Sequence, residues 1–253
     1  MMKILGILGS YNHRGKTAKM LEEILAGASD AGLITELLYL DEYQVKMSHP
    51  DTRKLYAKLL ESDCVVLAAP TYWGEISGIA KNFLDCLRQY AVKTTENGDL
   101  KPGNLKGKKY ITITSCYKTA LENIVTGLTD TTFNSVQTVF SAAGMKPIGE
   151  VVLTNTWKLS TLPLRKKEEC YNLGLSLQQT IEKEHDLLKR YIQLFFMIAF
   201  SSLLVMGMEE GLAKLGLLNL TNFWVRWLAF AVLFFTLLSV ILHTVTVHNH
   251  KKK

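Results

Sequence analysis

Short apolar runs alternate along this chain with longer segments in which apolar residues recur every three or four positions. The runs at residues 4–8, 35–40, 64–69, 109–114 and 148–153 predict five β-strands. Helices are predicted from Lys16 and Thr17 to Ala31, and over residues 51–61, 79–90, 131–143 and 168–185. The run at residues 64–69 is continuously apolar, which is typical of a strand that is covered on both faces.

Strands that alternate with helices in this way predict an α/β fold with a doubly wound, five-stranded parallel sheet. In such a sheet the ligand lies beyond the carboxyl ends of the strands, at the topological switch point. Three loops follow predicted strands at that edge, at residues 10–17, 70–74 and 115–117. We therefore expect these loops, which are distant in sequence, to line one crevice.

The first of these loops carries the groups of a phosphate site. A strand, a loop of small and polar residues, and a helix start present backbone N–H groups to an anion. Hydroxyl and amide side chains and two cations add to them. The candidate residues are Ser10, Asn12, Arg14, Gly15, Lys16 and Thr17. The alternative is an ordinary strand-to-helix turn that is capped by small residues.

The spacing of this loop separates it from two common nucleotide motifs. Five residues lie between Gly9 and Gly15, one more than a Walker A loop has. The run at residues 64–69 is followed by Pro70 and not by an Asp that would help to hold magnesium. The dinucleotide fingerprint Gly-x-Gly-x-x-Gly is absent as well. What remains is a loop suited to the single terminal phosphate of a mononucleotide.

The last part of the chain has a different composition. Residues 192–208 are 17 residues without charge, and residues 227–247 are 21 residues without Asp, Glu, Lys or Arg. These lengths predict two C-terminal transmembrane helices, with a pair of buried core helices as the alternative. We accordingly expect two domains, a ligand-binding domain at residues 1–186 and a membrane-anchoring hairpin at residues 187–253.

The distribution of charge supports the same division. Residues 1–185 carry 22 Lys/Arg and 20 Asp/Glu, whereas residues 186–253 carry 7 and 3. The excess basic charge thus flanks the apolar segments and points to a membrane; no nucleic-acid partner is expected from the net charge of +6. Lys189 and Arg190 precede the first segment and residues 251–253 follow the second, so both ends are predicted to face the cytoplasm.

The cysteines predict neither a disulfide framework nor a metal site. Cys64, Cys86, Cys116 and Cys170 show no C-x-x-C spacing and no zinc spacing with histidine. A reducing compartment fits this pattern. The apolar run near the N-terminus is too short for a signal peptide.

Two motifs resemble the flavodoxin-like NAD(P)H-dependent FMN reductase family, over residues 1–155. The sequence GSYNHRGKT at residues 9–17 is similar to the family's phosphate loop. The sequence PTYWGEISGIAKNFLD at residues 70–85 is the more specific match, because Pro-x-Tyr-Trp-Gly is followed by Ser-Gly and by spaced Lys, Phe and Asp. The resemblance implies a flavodoxin-like fold in which residues 10–17 hold the phosphate of FMN.

The resemblance also implies which residues surround the isoalloxazine ring. The loop that lines the ring consists of Pro70, Thr71, Tyr72, Trp73 and Gly74, and its backbone amides would reach the polar edge of the ring. The pyrimidine side would be completed by Ser115, Cys116 and Tyr117. Tyr72 and Trp73 have packing between subunits as a second role. Cys116 is either redox-active or a bystander thiol.

The expected function is that of a membrane-tethered flavoprotein oxidoreductase. FMN would carry hydride or electrons from NADH or NADPH to an acceptor such as a quinone, free flavin or a membrane redox protein. Alternatives are a non-catalytic flavodoxin-type electron carrier and a membrane-tethered redox sensor; the mixed or basic loops favour the reductase. The resemblance further implies a homodimer. Iron–sulfur flavoproteins of the superfamily carry a compact cysteine motif, whereas residues 41–60 here have no cysteine, so no cluster is expected.

Overall fold

The chain forms two compact units, Met1–Lys183 and Glu184–Lys253, in the computed structural model. The structure describes residues 2–96, 98–182, 196, 198–208, 211, 224–225, 227–232 and 234–236. All elements that surround the predicted site belong to the first unit.

A five-stranded parallel sheet forms the centre of the first unit. Its strands are β1 (Lys3–Leu8), β2 (Ile34–Tyr39), β3 (Cys64–Ala68), β8 (Lys109–Ser115) and β9 (Lys146–Leu153), in the spatial order β2-β1-β3-β8-β9. The predicted flavodoxin-like sheet is therefore confirmed. β3 and β8 are buried along their whole length, because helices cover both faces of the central strands.

Six of the helices flank the sheet. They are α1 (Lys16–Asp30), α2 (Pro50–Glu61), α3 (Gly78–Ala91), α5 (Asp130–Ala142), α6 (Leu164–Leu175) and α7 (Leu177–Glu182). Alternate residues of β1 divide between two cores: Leu5 and Ile7 pack with α2, α3 and α5, whereas Ile4 and Leu8 pack with α1 and α6. Glycines let α1 and α6 approach closely, since a Cβ on Gly174 would lie 2.8 Å from the backbone nitrogen of Ala28.

The prediction of one helix over residues 168–185 is wrong within the described part of the chain. Two helices, α6 and α7, occupy this region, and Ser176 lies between them. Residues 183–185 lie outside the described residues. Leu177 is fully buried, so the break redirects the chain and returns an apolar side chain to the core.

Two hairpins and one α-helix of the described residues were not predicted. The first is a hairpin of β4 (Thr71–Tyr72) and β5 (Glu75–Ile76), and the second is a hairpin of β6 (Val92–Thr94) and β7 (Leu100–Pro102). The third is the helix α4 (Ala120–Thr126), none of whose residues is buried. The first hairpin includes most of the predicted ligand loop at residues 70–74, and α4 follows the predicted loop at residues 115–117 in sequence.

Both segments that were predicted to be transmembrane helices, residues 192–208 and 227–247, belong to the second unit, and 17 of their 38 residues lie outside the described residues. Residues 198–208, 227–232 and 234–236 are helical. Among the residues that the structure describes, none of the helices combines the length and the apolar character of a membrane span. The predicted hairpin is thus not supported by the described residues.

Candidate flavin site

The carboxyl ends of the central strands bring the three predicted loops to one edge of the sheet. Register aligns Leu8 with Ala68, and Ala68 with Ile113. Backbone bonds continue past the strands, from Gly9 N to Ala68 O at 2.8 Å and from Ala69 N to Ile113 O at 2.9 Å. The loops that begin at these positions are consequently neighbours, as the sequence predicted.

The first loop folds back on itself through its own polar groups. Ser10 Oγ accepts a hydrogen bond from Asn12 N at 3.2 Å. Asn12 Oδ1 accepts from Arg14 N at 3.2 Å, and Asn12 O accepts from Gly15 N at 3.1 Å. A Cβ on Gly15 would lie 3.1 Å from that carbonyl oxygen, so the turn is tight at this glycine. Asn12 therefore organises the loop.

The amino end of α1 opens into this loop without a side-chain cap from the described residues. Gly15 is the N-cap residue and has extended backbone angles, φ −68° and ψ 165°. The first-turn N–H groups of Lys16 and Thr17 have no partner within the helix, because helix geometry leaves them at its start. Such groups, together with the helix dipole, attract an anion. Arg14 is exposed and Lys16 half-buried beside them.

Thr17 joins the first loop to the third. Its Oγ1 lies 2.7 Å from Ser115 Oγ, at the end of β8, and both residues are buried. Ser10, 5% exposed, is held at the same edge. One predicted phosphate residue, Thr17, is thus in direct contact with Ser115, the first residue of the predicted pyrimidine loop.

The second loop is the β4–β5 hairpin. Its two central residues, Trp73 and Gly74, have φ values of 54° and 82°, as a type I′ turn requires. Trp73 is the tryptophan of this turn and is 100% exposed, and Tyr72 is 55% exposed. Pro70 O accepts from Ser77 N at 3.0 Å and closes the hairpin. Ser77 Oγ donates to Gly9 O at 2.5 Å, so the hairpin is anchored on the end of β1.

Buried threonines support the base of the hairpin. Thr71 Oγ1 lies 2.8 Å from Thr114 Oγ1 and 2.7 Å from Thr132 Oγ1. The hydroxyl of Thr71 is therefore engaged by two buried threonines, and the residue itself is buried. The Thr131 hydroxyl donates to the carbonyl of Gly74 and holds the turn itself. These contacts give the exposed aromatic residues a rigid base.

The third loop follows β8. Cys116 N donates to Leu153 O at 2.9 Å, and its thiol contacts Lys118 O at 3.9 Å. Burial raises the pKa of the Cys116 thiol, although the hydrogen bond and charge at Lys118 act in the opposite direction. The thiol is accordingly held in the protonated form at neutral pH.

Two features of this edge were missed from the sequence. Tyr117 stacks on Trp157, which follows β9; the ring centroids are 4.6 Å apart. His13 Nε2 lies 2.9 Å from Asp41, and its ring stacks on Tyr39 with centroids 4.1 Å apart. Trp157 could have been assigned to this edge from the sequence, because it follows a predicted strand and parallel strands end at the same edge of the sheet.

This arrangement fits FMN. A phosphate is matched by the uncapped start of α1 with the hydroxyls of Ser10 and Thr17, and by the cations at Arg14 and Lys16. A planar ring is matched by the exposed aromatic hairpin at Tyr72 and Trp73. The residues that match the phosphate and the residues that match the ring lie on adjacent loops at one edge of the sheet.

The sequence profile of the family described as "NADPH-dependent FMN reductase" matches residues 2–156, which include all three loops. The chain belongs to the NADPH-dependent FMN reductase family. Membership agrees with the predicted class of oxidoreductase and with FMN and NAD(P)H as its cofactors. It also agrees with the positions of the two motifs at residues 9–17 and 70–85.

Individual relatives of the chain align with about a third of its residues. An "Iron-sulfur flavoprotein" of Archaeoglobus fulgidus is 33% identical over 97 residues, 33% of this chain and 48% of the relative. An "NAD(P)H-dependent FAD/FMN reductase" of Geobacillus thermodenitrificans is 30% identical over 102 residues, 36% of this chain and 55% of the relative. The chain thus spans about half the length of these curated relatives.

Solved structures share the fold of this reductase family member. The NAD(P)H:quinone oxidoreductase of Methanothermobacter marburgensis has a TM-score of 0.59 and 15% identity, over 70% of this chain and 98% of that one. An NADH:FMN oxidoreductase has a TM-score of 0.54 and 16% identity, over 73% of this chain and 92% of that one. At these identities the likeness concerns the fold.

The cysteines are dispersed, unlike those of a cluster-binding motif. The free thiols of Cys64, Cys86, Cys116 and Cys170 are all buried. No group of three or more His, Cys, Asp or Glu that could hold a metal ion occurs among the residues that the structure describes. The name "Iron-sulfur flavoprotein" describes the Archaeoglobus relative alone.

Proposed function

We propose that this protein is an NAD(P)H-dependent FMN reductase that passes electrons to a small acceptor such as a quinone or free flavin. The observation that carries the proposal is the hydrogen bond of 2.7 Å between Thr17 and Ser115, which joins a phosphate loop to the loop beside the ring. The family match over residues 2–156 supports the same assignment. The names of the relatives, a flavin reductase and a quinone oxidoreductase, fit this class of acceptor.

The chain's own residues bind and orient the cofactor in this proposal. FMN, when bound, supplies the hydride and electron chemistry. The start of α1, with Ser10 and Thr17, holds the phosphate through charge-assisted hydrogen bonds. The hairpin at Tyr72, Trp73 and Gly74 places backbone amides and aromatic rings beside the flavin. Because Trp73 is fully exposed, this side of the cleft stays accessible to donor and acceptor.

An anaerobic titration tests the reductase assignment. The full chain is loaded with FMN, and NADPH or NADH is added while the absorbance of oxidised flavin is recorded. We expect about one equivalent of nicotinamide to bleach one flavin, since a hydride carries two electrons. A flavin that is bound but reduced only by another protein would identify an electron carrier. A flavin that neither donor nor carrier reduces would indicate a structural or sensing role.

We also propose that the second unit tethers the flavin domain to the cytoplasmic side of the cell membrane. The uncharged stretches at residues 192–208 and 227–247 and their basic flanks support this proposal. Large apolar side chains of the described helical residues, such as Phe200, Leu203 and Phe235, are exposed. Tethering would raise the local concentration of flavin near membrane acceptors.

Site-directed labelling in intact cells tests the tether. One cysteine is placed at Asn219, between the apolar stretches, and another at Asn249, after the second stretch. An impermeant thiol reagent should label position 219 and leave position 249 unlabelled. Labelling at position 249 alone would contradict the hairpin and indicate a single span. Labelling at neither position would contradict the crossing altogether.

A further inference from the structure

Tyr117 and Trp157 form an aromatic pair at the edge of the proposed flavin cleft. Their ring centroids are 4.6 Å apart and the ring planes differ by 24°. Tyr117, the inner member, is 39% exposed, whereas Trp157 is 82% exposed. The indole therefore presents an uncovered flat face. Tyr117 follows Ser115 by two residues, so this face lies beside the loop that we assign to the flavin ring.

The backbone holds this pair in place. Thr156 N donates to Cys116 O at 3.1 Å, and Asn155 N donates to Lys118 O at 2.6 Å. Asn155 has a φ of 59°, in the left-handed region, where the chain turns after β9. The segment before Trp157 is thus bonded to the residues on both sides of Tyr117. A prearranged aromatic surface loses little conformational entropy when a planar ligand binds.

Two cations accompany the pair, because a lysine follows each aromatic residue. Lys158 is exposed, and Lys118 Nζ lies 3.4 Å from Thr126 Oγ1. Glu122 lies close to both lysines, and its pKa is lowered by hydrogen bonds from Thr119 and further by the charges of the two lysines. Its Oε2 already accepts from Thr119 N and Oγ1. The patch consequently keeps a net positive charge next to a flat apolar surface.

We propose that Trp157 stacks with the adenine ring of NADPH, and that Lys158 and Lys118 bind the 2′-phosphate of that nucleotide. An adenine base has the planar face that an exposed indole accepts, and the 2′-phosphate supplies the anion that the lysines attract. This subsite rests on the proposed use of NAD(P)H and extends it, because it makes NADPH the preferred donor over NADH. The nicotinamide end would then extend from Tyr117 toward the flavin.

Binding of adenosine 2′,5′-bisphosphate to the FMN-loaded full chain tests the subsite. This probe contains the adenine and the 2′-phosphate but no nicotinamide, so binding does not require flavin reduction. We expect binding by calorimetry, and about tenfold weaker binding after Trp157→Ala. Trp157→Phe, which keeps an aromatic face, should retain most of the affinity. Equal affinity of wild type and Trp157→Ala, or no binding at all, would overturn the proposal.

The lysines are tested by comparing this probe with 5′-AMP, which lacks the 2′-phosphate. Lys158→Gln should reduce the preference for the bisphosphate, and Lys158→Arg should restore it. Lys106→Gln removes one positive charge at the opposite edge of the sheet, where Lys106 lies just before β8, and should change nothing. The assignment of Lys158 would be overturned if Lys158→Gln weakened the binding of both probes equally. It would also be overturned if Lys106→Gln reduced the preference for the bisphosphate as much as Lys158→Gln does.

Steady-state kinetics separate this subsite from the proposed function. In Trp157→Ala the KM for NADPH should rise about tenfold while kcat stays close to that of wild type, because the adenine end makes the same contacts in ground and transition states. If the bisphosphate binds as expected but NADPH does not reduce the flavin, the proposed function fails and the subsite stands. If Trp157→Ala changes the oligomeric state and not nucleotide affinity, Trp157 is a contact between copies and the subsite is wrong.

Discussion

Thr17 and Ser115 are 98 positions apart and share a buried contact of 2.7 Å between their hydroxyl oxygens. One residue lies in the first turn of α1 and the other at the end of β8, so this contact joins two of the three loops of the proposed flavin site. Both hydroxyls can also bond a ligand, since each has one donor and two acceptor positions. The contact therefore orients the groups that we assign to FMN.

Removing hydroxyls from the phosphate loop should weaken FMN binding. The double variant Ser10→Ala/Thr17→Ala loses two donors, and bonds to a charged phosphate are worth about 1.5–3 kcal/mol each. We expect a loss of FMN affinity of at least about a hundredfold, measured by quenching of flavin fluorescence. Ser62→Ala is the control, because this buried serine donates to Leu59 O away from the loops. Unchanged FMN affinity in the double variant would show that the phosphate binds elsewhere.

The fold was largely predictable because its central strands carry their own signal. The continuous apolar run at β3 was placed within one residue, since a strand that is covered on both faces needs no polar positions. Helix α4 was missed. None of its residues is buried. The sequence feature that could have predicted it is the capping box, in which Thr119 and Glu122 hydrogen-bond to each other's backbone N–H groups.

The candidate site was predictable as a set of loops but not as a set of contacts. The edge rule for parallel sheets brings Thr17 and Ser115 into one crevice, yet their hydrogen bond depends on the register of β1, β3 and β8. The bonds of Thr71 to Thr114 and Thr132 likewise depend on tertiary packing. Trp157 was missed because only three of the strand ends were considered.

Trp73 combines backbone strain with full exposure, and its replacement should separate stability from function. A non-glycine residue in the left-handed region costs about 1–2 kcal/mol, and asparagine tolerates that region better. Trp73→Asn should therefore raise the free energy of unfolding of the apoprotein by about 1 kcal/mol while it lowers FMN affinity. Urea denaturation and FMN titration measure the two effects.

Tyr72→Asn is the matched control for this variant. Tyr72 is also exposed but lies in β4 without a positive φ, so its replacement should bring no gain in stability. A Trp73→Asn variant that binds FMN as tightly as wild type would remove Trp73 from the proposed ring site. A variant that is less stable than wild type would show that the turn is not strained at this residue.

Glu36 should make stability depend on pH at the acidic end. Burial by itself raises the pKa of Glu36, but hydrogen bonds from Lys3 and Lys58 outweigh it and lower the pKa below the usual 4.5. The stabilising contribution is therefore present above pH 4.5 and is lost as the pH falls through the lowered folded-state pKa. Urea denaturation at neutral pH and near pH 3 should show that Glu36→Gln loses less stability on acidification than wild type, by about 1 kcal/mol or less.

The same network predicts the opposite dependence at the alkaline end. Hydrogen bonds from Lys3 to Glu36 and Glu61 raise the pKa of Lys3 above 10.5. Its contribution is present below pH 10.5 and is lost as the pH rises through the raised folded-state pKa. Glu22→Gln, which changes an exposed glutamate of α1, serves as the control at both ends. An identical pH profile for Glu36→Gln and wild type would exclude the network as a source of stability.

Cys116 should react slowly with alkylating reagents despite its place at the cleft. Burial raises the pKa of its thiol, so the fraction of thiolate at neutral pH is smaller than for a free cysteine. Iodoacetamide at pH 7 should modify Cys116 slowly, and the rate should increase as the pH rises toward the raised pKa. Mass spectrometry of native and urea-unfolded protein measures this difference. Fast modification of native protein at pH 7 would instead indicate a reactive, redox-competent thiol.

Truncation tests whether the first unit folds without the second. A chain that ends at Lys183 contains every element of the first unit and should fold, unfold cooperatively and bind FMN in detergent-free buffer. A shorter chain that ends at Ser176 removes α7 and with it Leu177, which is fully buried in the core beside α1 and α6. Burial of one leucine side chain is worth about 1.5–3 kcal/mol, so the shorter chain should lose at least that much stability.

The two truncations together distinguish a core element from an appended one. Thermal unfolding followed by circular dichroism, with and without FMN, measures both chains. If the chain that ends at Lys183 aggregates while full-length protein in detergent is folded, residues beyond 183 cover apolar surface of the first unit, and our division at that point is wrong. If both truncated chains are equally stable, Leu177 contributes little, and the boundary of the folded unit lies before α7. The expected order of stability places α7 inside the unit and the apolar stretches outside it.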